Sequence, residues 1–240
     1  MKHITKSECP EGLARYLAEN PDATWEDFKN EDQVSYKNVC DIIKNDQSGI
    51  CCYCEIDFEI SDESPIKDFR VEHLYPKSKT PIPITLENAH LTWSNLLGCC
   101  HGGSMNHIDD NRYTAPHLHC DAVKGENIWT EQILNPLKIP QNEKLFTFET
   151  NGKIILSDQC PEDFKEIAQG SIDKLNLNEK SYLLKARGKV RDTLKAEFAR
   201  KVREGGLSEQ QALDELKTEL ALNTYSGMKF YTCKLDFVSY

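Results

Sequence analysis

Cysteine placement constrains this chain more than any other feature. Eight of its ten cysteines lie at or before Cys120, and Cys51-Cys52-Tyr53-Cys54 contains a CxxC. Such a pair presents two thiolates to one tetrahedral ion. Partners for it stand further on, at Cys99 or Cys100 and at Cys120. Four cysteines in two clusters favour a structural zinc over a redox dithiol. Spacing alone does not select Cys100 over Cys99. Between Ile50 and Lys124, short strand-like runs (Asp57 to Ile60, Asp68 to Glu72) alternate with Pro- and Gly-rich loops. A segment this irregular buries little apolar surface, so a metal is the expected source of its order.

The flanks read differently. Asp22 or Thr24 can cap a short helix carrying Trp25 and Phe28. A second helix from about Gln33 is expected to put Val34, Val39, Ile42 and Ile43 on one face and to end at Ser48-Gly49. These helices are expected to form a packing platform. After Trp129, Lys144 to Glu149 and Lys153 to Leu156 flank Thr150-Asn151-Gly152, a strong hairpin signal. A helical pattern follows from Asn178 to Arg203, with Leu183, Ala186, Val190, Leu194, Phe198 and Val202 forming an apolar stripe. Ser208 with Gln211 then makes a capping box for a last helix through Ala221.

Composition excludes some functions. No stretch approaches the roughly 18 apolar residues of a membrane span, and Met1 to Gly12 has no apolar run of the kind a secretory signal needs. A cytoplasmic location is therefore expected, where cysteines serve metals before disulfides. The net charge is −10, the wrong sign for gripping nucleic acid over the whole surface. Any such contact must come from a local basic patch, a metal or a partner.

The span bracketed by the cysteines holds Phe69-Arg70-Val71-Glu72-His73-Leu74-Tyr75-Pro76-Lys77-Ser78. A carboxylate followed by a histidine at a strand end suits phosphodiester hydrolysis. Glu72 can hold a hard cation while His73 stays free to take a proton from water. Further on stand Trp93-Ser94-Asn95-Leu96-Leu97-Gly98-Cys99-Cys100 and His119-Cys120-Asp121-Ala122-Val123-Lys124-Gly125. Together the CxYC, the Glu-His-x-x-Pro-Lys run, the W-S-N-L-L segment and the C-D-x-x-K-G segment resemble the HNH endonuclease family over about seventy-five residues. The flanks are similar to the PtuB-like HNH subunits of Septu-type and retron-associated antiphage systems. That similarity is carried by Leu134-Asn135-Pro136-Leu137, the Asn151-Gly152 hairpin, Leu175-Asn176-Leu177-Asn178 and the helix through Arg187 and Arg191.

The resemblance implies an α+β chain with a ββα-metal HNH core and a zinc-ribbon-like site of four cysteines, set between helical N- and C-terminal segments. The expected division is a helical segment over 1–48, a nuclease core over 49–135, and a hairpin with helices over 136–240. By resemblance, His73 is the general base, and Glu72 and Asp121 bind the catalytic Mg²⁺ or Mn²⁺. Asn95 supports the active-site loop and orients the histidine. Cys51, Cys54, Cys100 and Cys120 hold the structural Zn²⁺, with Cys100 preferred for its spacing from Asn95. Asp121 departs from the usual His or Asn, and an altered metal preference is expected. The last two cysteines are separated by a loop holding His101, His107, His117 and His119, one of which could replace a cysteine.

Such systems pair the nuclease with a PtuA-like ATPase and, in retrons, a reverse transcriptase with its multicopy single-stranded DNA. The implied substrate is nucleic acid, with no membrane partner. From Lys185 to Arg203 there are eight basic residues and two acids, and Arg187, Arg191 and Lys195 follow at four-residue steps. They read equally as phosphate or partner contacts and as a solvated face. Two rivals remain open: a non-catalytic zinc-ribbon adaptor docking a partner onto nucleic acid, and a redox protein using Cys51 and Cys54.

Overall fold

Local capping chemistry decides where the first helices begin. The computed structural model describes residues 1–59, 67–105, 118–222 and 228–239. Helix α1 spans Glu11–Glu19, α2 Trp25–Glu31 and α3 Gln33–Asp46. Thr24 caps α2 reciprocally: its hydroxyl accepts from Asp27 N–H, and the Asp27 carboxylate accepts from Thr24 N–H. Asp32 caps α3 by accepting from Ser35 N–H at 3.0 Å. Leu13, Tyr16, Trp25, Phe28, Val39 and Ile43 pack together with Leu91 and Leu96 from the centre of the chain. Val34 does not join them and is 83% exposed. At about 100° per residue it lies roughly 140° around α3 from Val39, on the far side of the helix.

Strand β1 (Arg70–His73) pairs antiparallel with β2 (Leu96–Cys99), Glu72 opposite Leu97 and His73 opposite Leu96. A single 3₁₀ turn, Trp93–Asn95, feeds β2, and a one-turn helix α4 (Asp121–Lys124) follows Cys120. The run from Asp57 makes isolated bridges (Ile50 with Asp57, Glu59 with Lys67) and no strand among the described residues; its end, Ile60, lies outside them. Two strands and a short helix thus stand side by side in an α+β chain.

The C-terminal part is a hairpin with four helices. Strands β3 (Phe146–Phe148) and β4 (Ile154–Leu156) pair antiparallel around Asn151-Gly152. Gly152 has φ +87°, and a Cβ there would sit 2.3 Å from Gly188 N, so only glycine lets the turn press onto the following helix. Helices α5 (Glu162–Lys174), α6 (Leu183–Arg203), α7 (Glu209–Leu222) and α8 (Tyr231–Val238) complete the described chain. Ser208 and Gln211 exchange the two hydrogen bonds of a capping box at the start of α7. Helix α8 follows the helix expected to be last. The largest apolar cluster draws on all three parts of the chain: Met1 and Ile4, Tyr53, Phe58 and Leu97, and Phe146, Ile172 and Phe230. No helix among the described residues is long and apolar enough to cross a membrane.

Packing takes Arg187 out of the basic row on α6 and pairs Arg191, leaving Lys195. A four-residue step advances a helix by about 40° beyond a full turn, so such a row winds around the axis. Arg187 faces the core at 2% exposure and donates to the Gly152 carbonyl (2.8 Å), the Leu177 carbonyl and Asn178 Oδ1. Arg191 is ion-paired with Asp236 on α8 at 3.0 Å. Only Lys195 is exposed. Arg187 is therefore a clasp between the hairpin turn, the 177–178 turn and α6, with no face left for phosphate. Arg187→Ala is expected to cost about 3 kcal/mol, because it strips buried acceptors of a charged donor. Lys195→Gln should stay within about 0.5 kcal/mol of wild type. Denaturant unfolding of the two variants checks this.

Candidate active site and metal centre

The chain reversal at 51–54 and the end of β2 bring the cysteines together. Sγ atoms of Cys51, Cys54, Cys100 and Cys120 all lie within 4.8 Å of one another, fully buried. Cys51 and Cys120 sulfurs are 3.9 Å apart, and those of Cys54 and Cys100 3.7 Å. A tetrahedron with Zn–S bonds of about 2.3 Å has edges of about 3.8 Å, so this set fits zinc. Cys99 falls into a second group with Cys51 and Cys52. All ten cysteines are free thiols. Burial raises the thiols of Cys100 and Cys120 well above their ordinary range and that of Cys54 to about 11. At Cys51 burial is outweighed by hydrogen bonds from the Cys100 and Cys120 thiols, which hold it well below that range. A bound cation is what would let all four ionise together.

Of the nearby histidines, His119 puts Nε2 3.8 Å from the Cys100 sulfur, while His101 is held by Asp68 through both its N–H and its ring (2.7 and 3.0 Å). His107 and His117 lie outside the described residues.

A cleft of about 460 Å³ opens along β1 and α4, and its lining includes Trp25, Arg70, Glu72, His73, Asp121 and Lys124. Residues 70 and 72 share one face of β1, as the two-residue period of a strand requires. Asp121 arrives from the first turn of α4. Burial, and next the charge of Asp121, push the Glu72 carboxyl well above its ordinary range. Two carboxyl groups, Glu72 buried and Asp121 partly exposed, offer hard oxygen donors of the kind that suit Mg²⁺ or Mn²⁺. Each also has a basic partner. Lys124 Nζ is 2.9 Å from Glu72 Oε1, and Arg70 Nη2 is 2.6 Å from Asp121 Oδ2. Tyr53 Oη donates to Glu72 Oε1 at 2.8 Å. A cation held by the two carboxylates thus competes with Arg70 and Lys124 for them.

His73 ends β1 with its ring pinned. Nε2 lies 3.1 Å from the His90 carbonyl, an acceptor, so Nε2 carries the proton and Nδ1 is left as the basic nitrogen. The Trp25 ring meets the His73 ring edge-on at 5.6 Å. Burial draws the His73 pKa down from 6.5 to about 3, which keeps the imidazole neutral. Asn95 is buried and ties the 75–89 loop: Oδ1 accepts from Tyr75 N–H (2.7 Å), and Nδ2 donates to the carbonyls of Tyr75 (3.0 Å) and Ala89 (2.6 Å). It thereby ties down Ala89, the residue next to His90.

No protein-family model matches the chain. It is 40% identical over 166 residues to a protein of Escherichia coli provisionally named the retron Ec83 HNH endonuclease. The match covers 65% of this chain and 62% of that relative. The chain thus spans less than two thirds of the curated relative it matches.

The structure brings His73, Glu72 and Asp121 to one cleft and Asn95 to the loop beside it. Arg187, Arg191 and Lys195 belong to α6, outside the cleft lining. Sequence reasoning missed five residues of the site: Tyr53, Arg70, Asn88, His90 and Lys124. Lys124 is the clearest case, at 1% exposure with Nζ on Glu72 and on the His73 carbonyl (3.0 Å). A lysine so buried requires acceptors. Its position in the C-D-x-x-K-G run, one turn after Asp121, was the available signal.

Proposed function

We propose that this chain is a divalent-metal-dependent endonuclease of the HNH type, hydrolysing phosphodiesters of nucleic acid. The observation that carries the reading is the meeting of Glu72 and His73 from β1 with Asp121 from α4 in one cleft, in a chain that also gathers four thiols. The likeness to the provisionally named HNH endonuclease supports it. In this reading β1, β2 and α4 form a ββα-metal core within 49–135, flanked by the segments 1–48 and 136–240. Cys51, Cys54, Cys100 and Cys120 hold a structural Zn²⁺. Glu72 and Asp121 hold Mg²⁺ or Mn²⁺.

Bound there, the cation supplies Lewis acidity toward the phosphate and the departing oxygen. The chain's own groups do the rest. His73 Nδ1 takes the proton from water as its oxygen adds to phosphorus and the P–O3′ bond breaks; the departing O3′ takes a proton from solvent water and His73 releases its own to solvent, leaving 5′-phosphate and 3′-hydroxyl ends. The His90 carbonyl holds His73 Nε2, and Asn95 holds the loop that aims this carbonyl. Lys124 keeps Glu72 and the end of β1 in register. Arg70, beside Asp121, can meet a phosphate oxygen.

We further propose that the nuclease is the effector of an antiphage defence complex of the retron or Septu type, acting inside the cell. Its partners there would be a PtuA-like ATPase and, in a retron, the reverse transcriptase with its multicopy DNA. The net charge of −10 supports a partner that supplies positive charge along the substrate.

Metal dependence tests the proposal. Asp121→Ala is expected to raise the Mg²⁺ needed for half-maximal cleavage by about tenfold or more, with excess Mg²⁺ or Mn²⁺ recovering part of the rate. Asp121→Asn and Asp121→His should lose less, since both keep a donor at that point. Metal titrations of cleavage, on DNA and RNA and with and without the co-encoded neighbours, measure this. Cleavage unaffected by chelator, or a metal requirement unchanged in Asp121→Ala, rejects the reading.

A further inference from the structure

The hydrolytic reading leaves one contact unused, that of the N-terminal helices with the loop behind His73. Trp25 is the first residue of α2, and its backbone N–H is one of the donors a helix start leaves without an internal partner. That N–H donates to Nδ1 of His90 at 3.2 Å. An acceptor at Nδ1 requires the His90 tautomer with its proton on Nε2. The backbone around His90 is bolted to the same segment. His90 N–H and Leu91 N–H donate to Asn88 Oδ1 (2.7 and 3.1 Å), while Asn88 Nδ2 donates to the carbonyls of Pro21 (2.9 Å) and Ala23 (3.0 Å). The Trp25 ring then closes over His73 itself. Residues 21–25 therefore grip the loop at Asn88, at His90 and at the histidine the loop serves.

We propose that His90 is a positioning residue: its side chain, anchored to the first N–H of α2, aims the backbone carbonyl that holds His73 Nε2, which makes the α1–α3 segment a working part of the active site. The inference rests on His73 being the general base. It goes beyond that reading by assigning a function to a helical segment that sequence reasoning treats as a platform. Without the anchor, the carbonyl loses its fixed direction, and His73 no longer has one tautomer enforced with Nδ1 toward the cleft. Misplacement of a reacting group by about 1 Å costs on the order of 10²-fold in rate.

Two substitutions of similar size and polarity separate aiming from bulk. In His90→Asn, the side-chain oxygen falls near the place of Nδ1 and can still accept from Trp25 N–H. In His90→Gln, the amide sits one bond further out, near the place of Nε2. His90→Asn is expected to keep most of the wild-type kcat. His90→Gln should lose about 10- to 100-fold in kcat with KM changed less than about threefold. The second readout is ¹⁵N NMR of the histidine rings in the isolated full chain, with His73 assigned by its loss in His73→Gln. Wild type and His90→Asn should show one His73 tautomer, protonated at Nε2, and His90→Gln a mixture. Equal kcat in the two variants with one unchanged His73 tautomer overturns the inference. If wild type cleaves neither DNA nor RNA, the nuclease reading fails, and the tautomer comparison alone decides whether His90 positions His73.

Discussion

Cys54→Ser is expected to remove one equivalent of zinc and to unfold the centre of the molecule. The reason lies in what surrounds the four sulfurs. Cys51 and Cys54 hold the 51–54 turn, Cys100 follows β2, and Cys120 precedes α4, so one ion would join three segments distant in sequence. A structural zinc contributes on the order of 10 kcal/mol to such a unit, as much as the whole stability of a typical domain. Cys100→Ser should behave like Cys54→Ser. Cys99→Ala should keep its zinc and cost about 1 kcal/mol, the loss of one small buried side chain. Elemental analysis of the purified variants, with thermal melts, checks all three. A zinc-free wild type that melts like the zinc-loaded protein contradicts the assignment and favours the redox reading.

Much of the fold was legible wherever a short stretch carries its own instructions. Asn151-Gly152 stated the hairpin, and Ser208 with Gln211 stated the start of α7, because turn and cap chemistry is settled within four residues. Helix α8 was hidden for the opposite reason. Its Tyr, Thr, Phe and Val residues favour a strand, and the helix is held by tertiary contacts of Asp236 with Lys144, Arg191 and Phe148 N–H. Helix α5 was legible but overlooked: Phe164, Ile167, Ala168, Ser171 and Ile172 follow helical spacing.

The site divides along the same line. His73, Glu72, Asn95, Asp121 and the cysteines stand in contiguous runs, so their kinship could be read from order and spacing. Cys99 and Cys100 differ by one step along the chain, and only the exit from β2 separates their sulfurs into two groups. Tyr53, Arg70 and Lys124 matter through partners 19 to 52 residues away, which no local pattern reveals. Arg187 shows the reverse error. Its charge suggested solvent, but the turns at Gly152 and Leu177 offered it buried carbonyls.

The largest effect on activity is expected from His73→Ala. A positioned general base contributes about 10² to 10⁴ in rate, and this histidine is held by a hydrogen bond to the His90 carbonyl, which leaves Nδ1 as the basic nitrogen, and by ring contacts with Trp25 and His90. Its removal touches neither the thiols nor the carboxylates, so fold, zinc and most of the Mg²⁺ affinity should remain. The pH profile carries a second expectation. Burial lowers the His73 pKa to about 3, so its neutral, proton-accepting form persists as pH falls through 6.5. His73 should therefore set no acid limb of kcat/KM near pH 6.5; a limb there belongs to Glu72, whose carboxyl burial and Asp121 raise, and added Mg²⁺ should move it to lower pH. The most direct measurement is cleavage of labelled DNA and RNA by wild type and His73→Ala, purified identically and matched for zinc content, in Mg²⁺ and with the co-encoded partners present. A loss of at least about 10²-fold in His73→Ala, with unchanged melting and metal binding, is the predicted result. Equal cleavage by the two proteins contradicts the catalytic assignment and leaves the zinc-ribbon adaptor in its place.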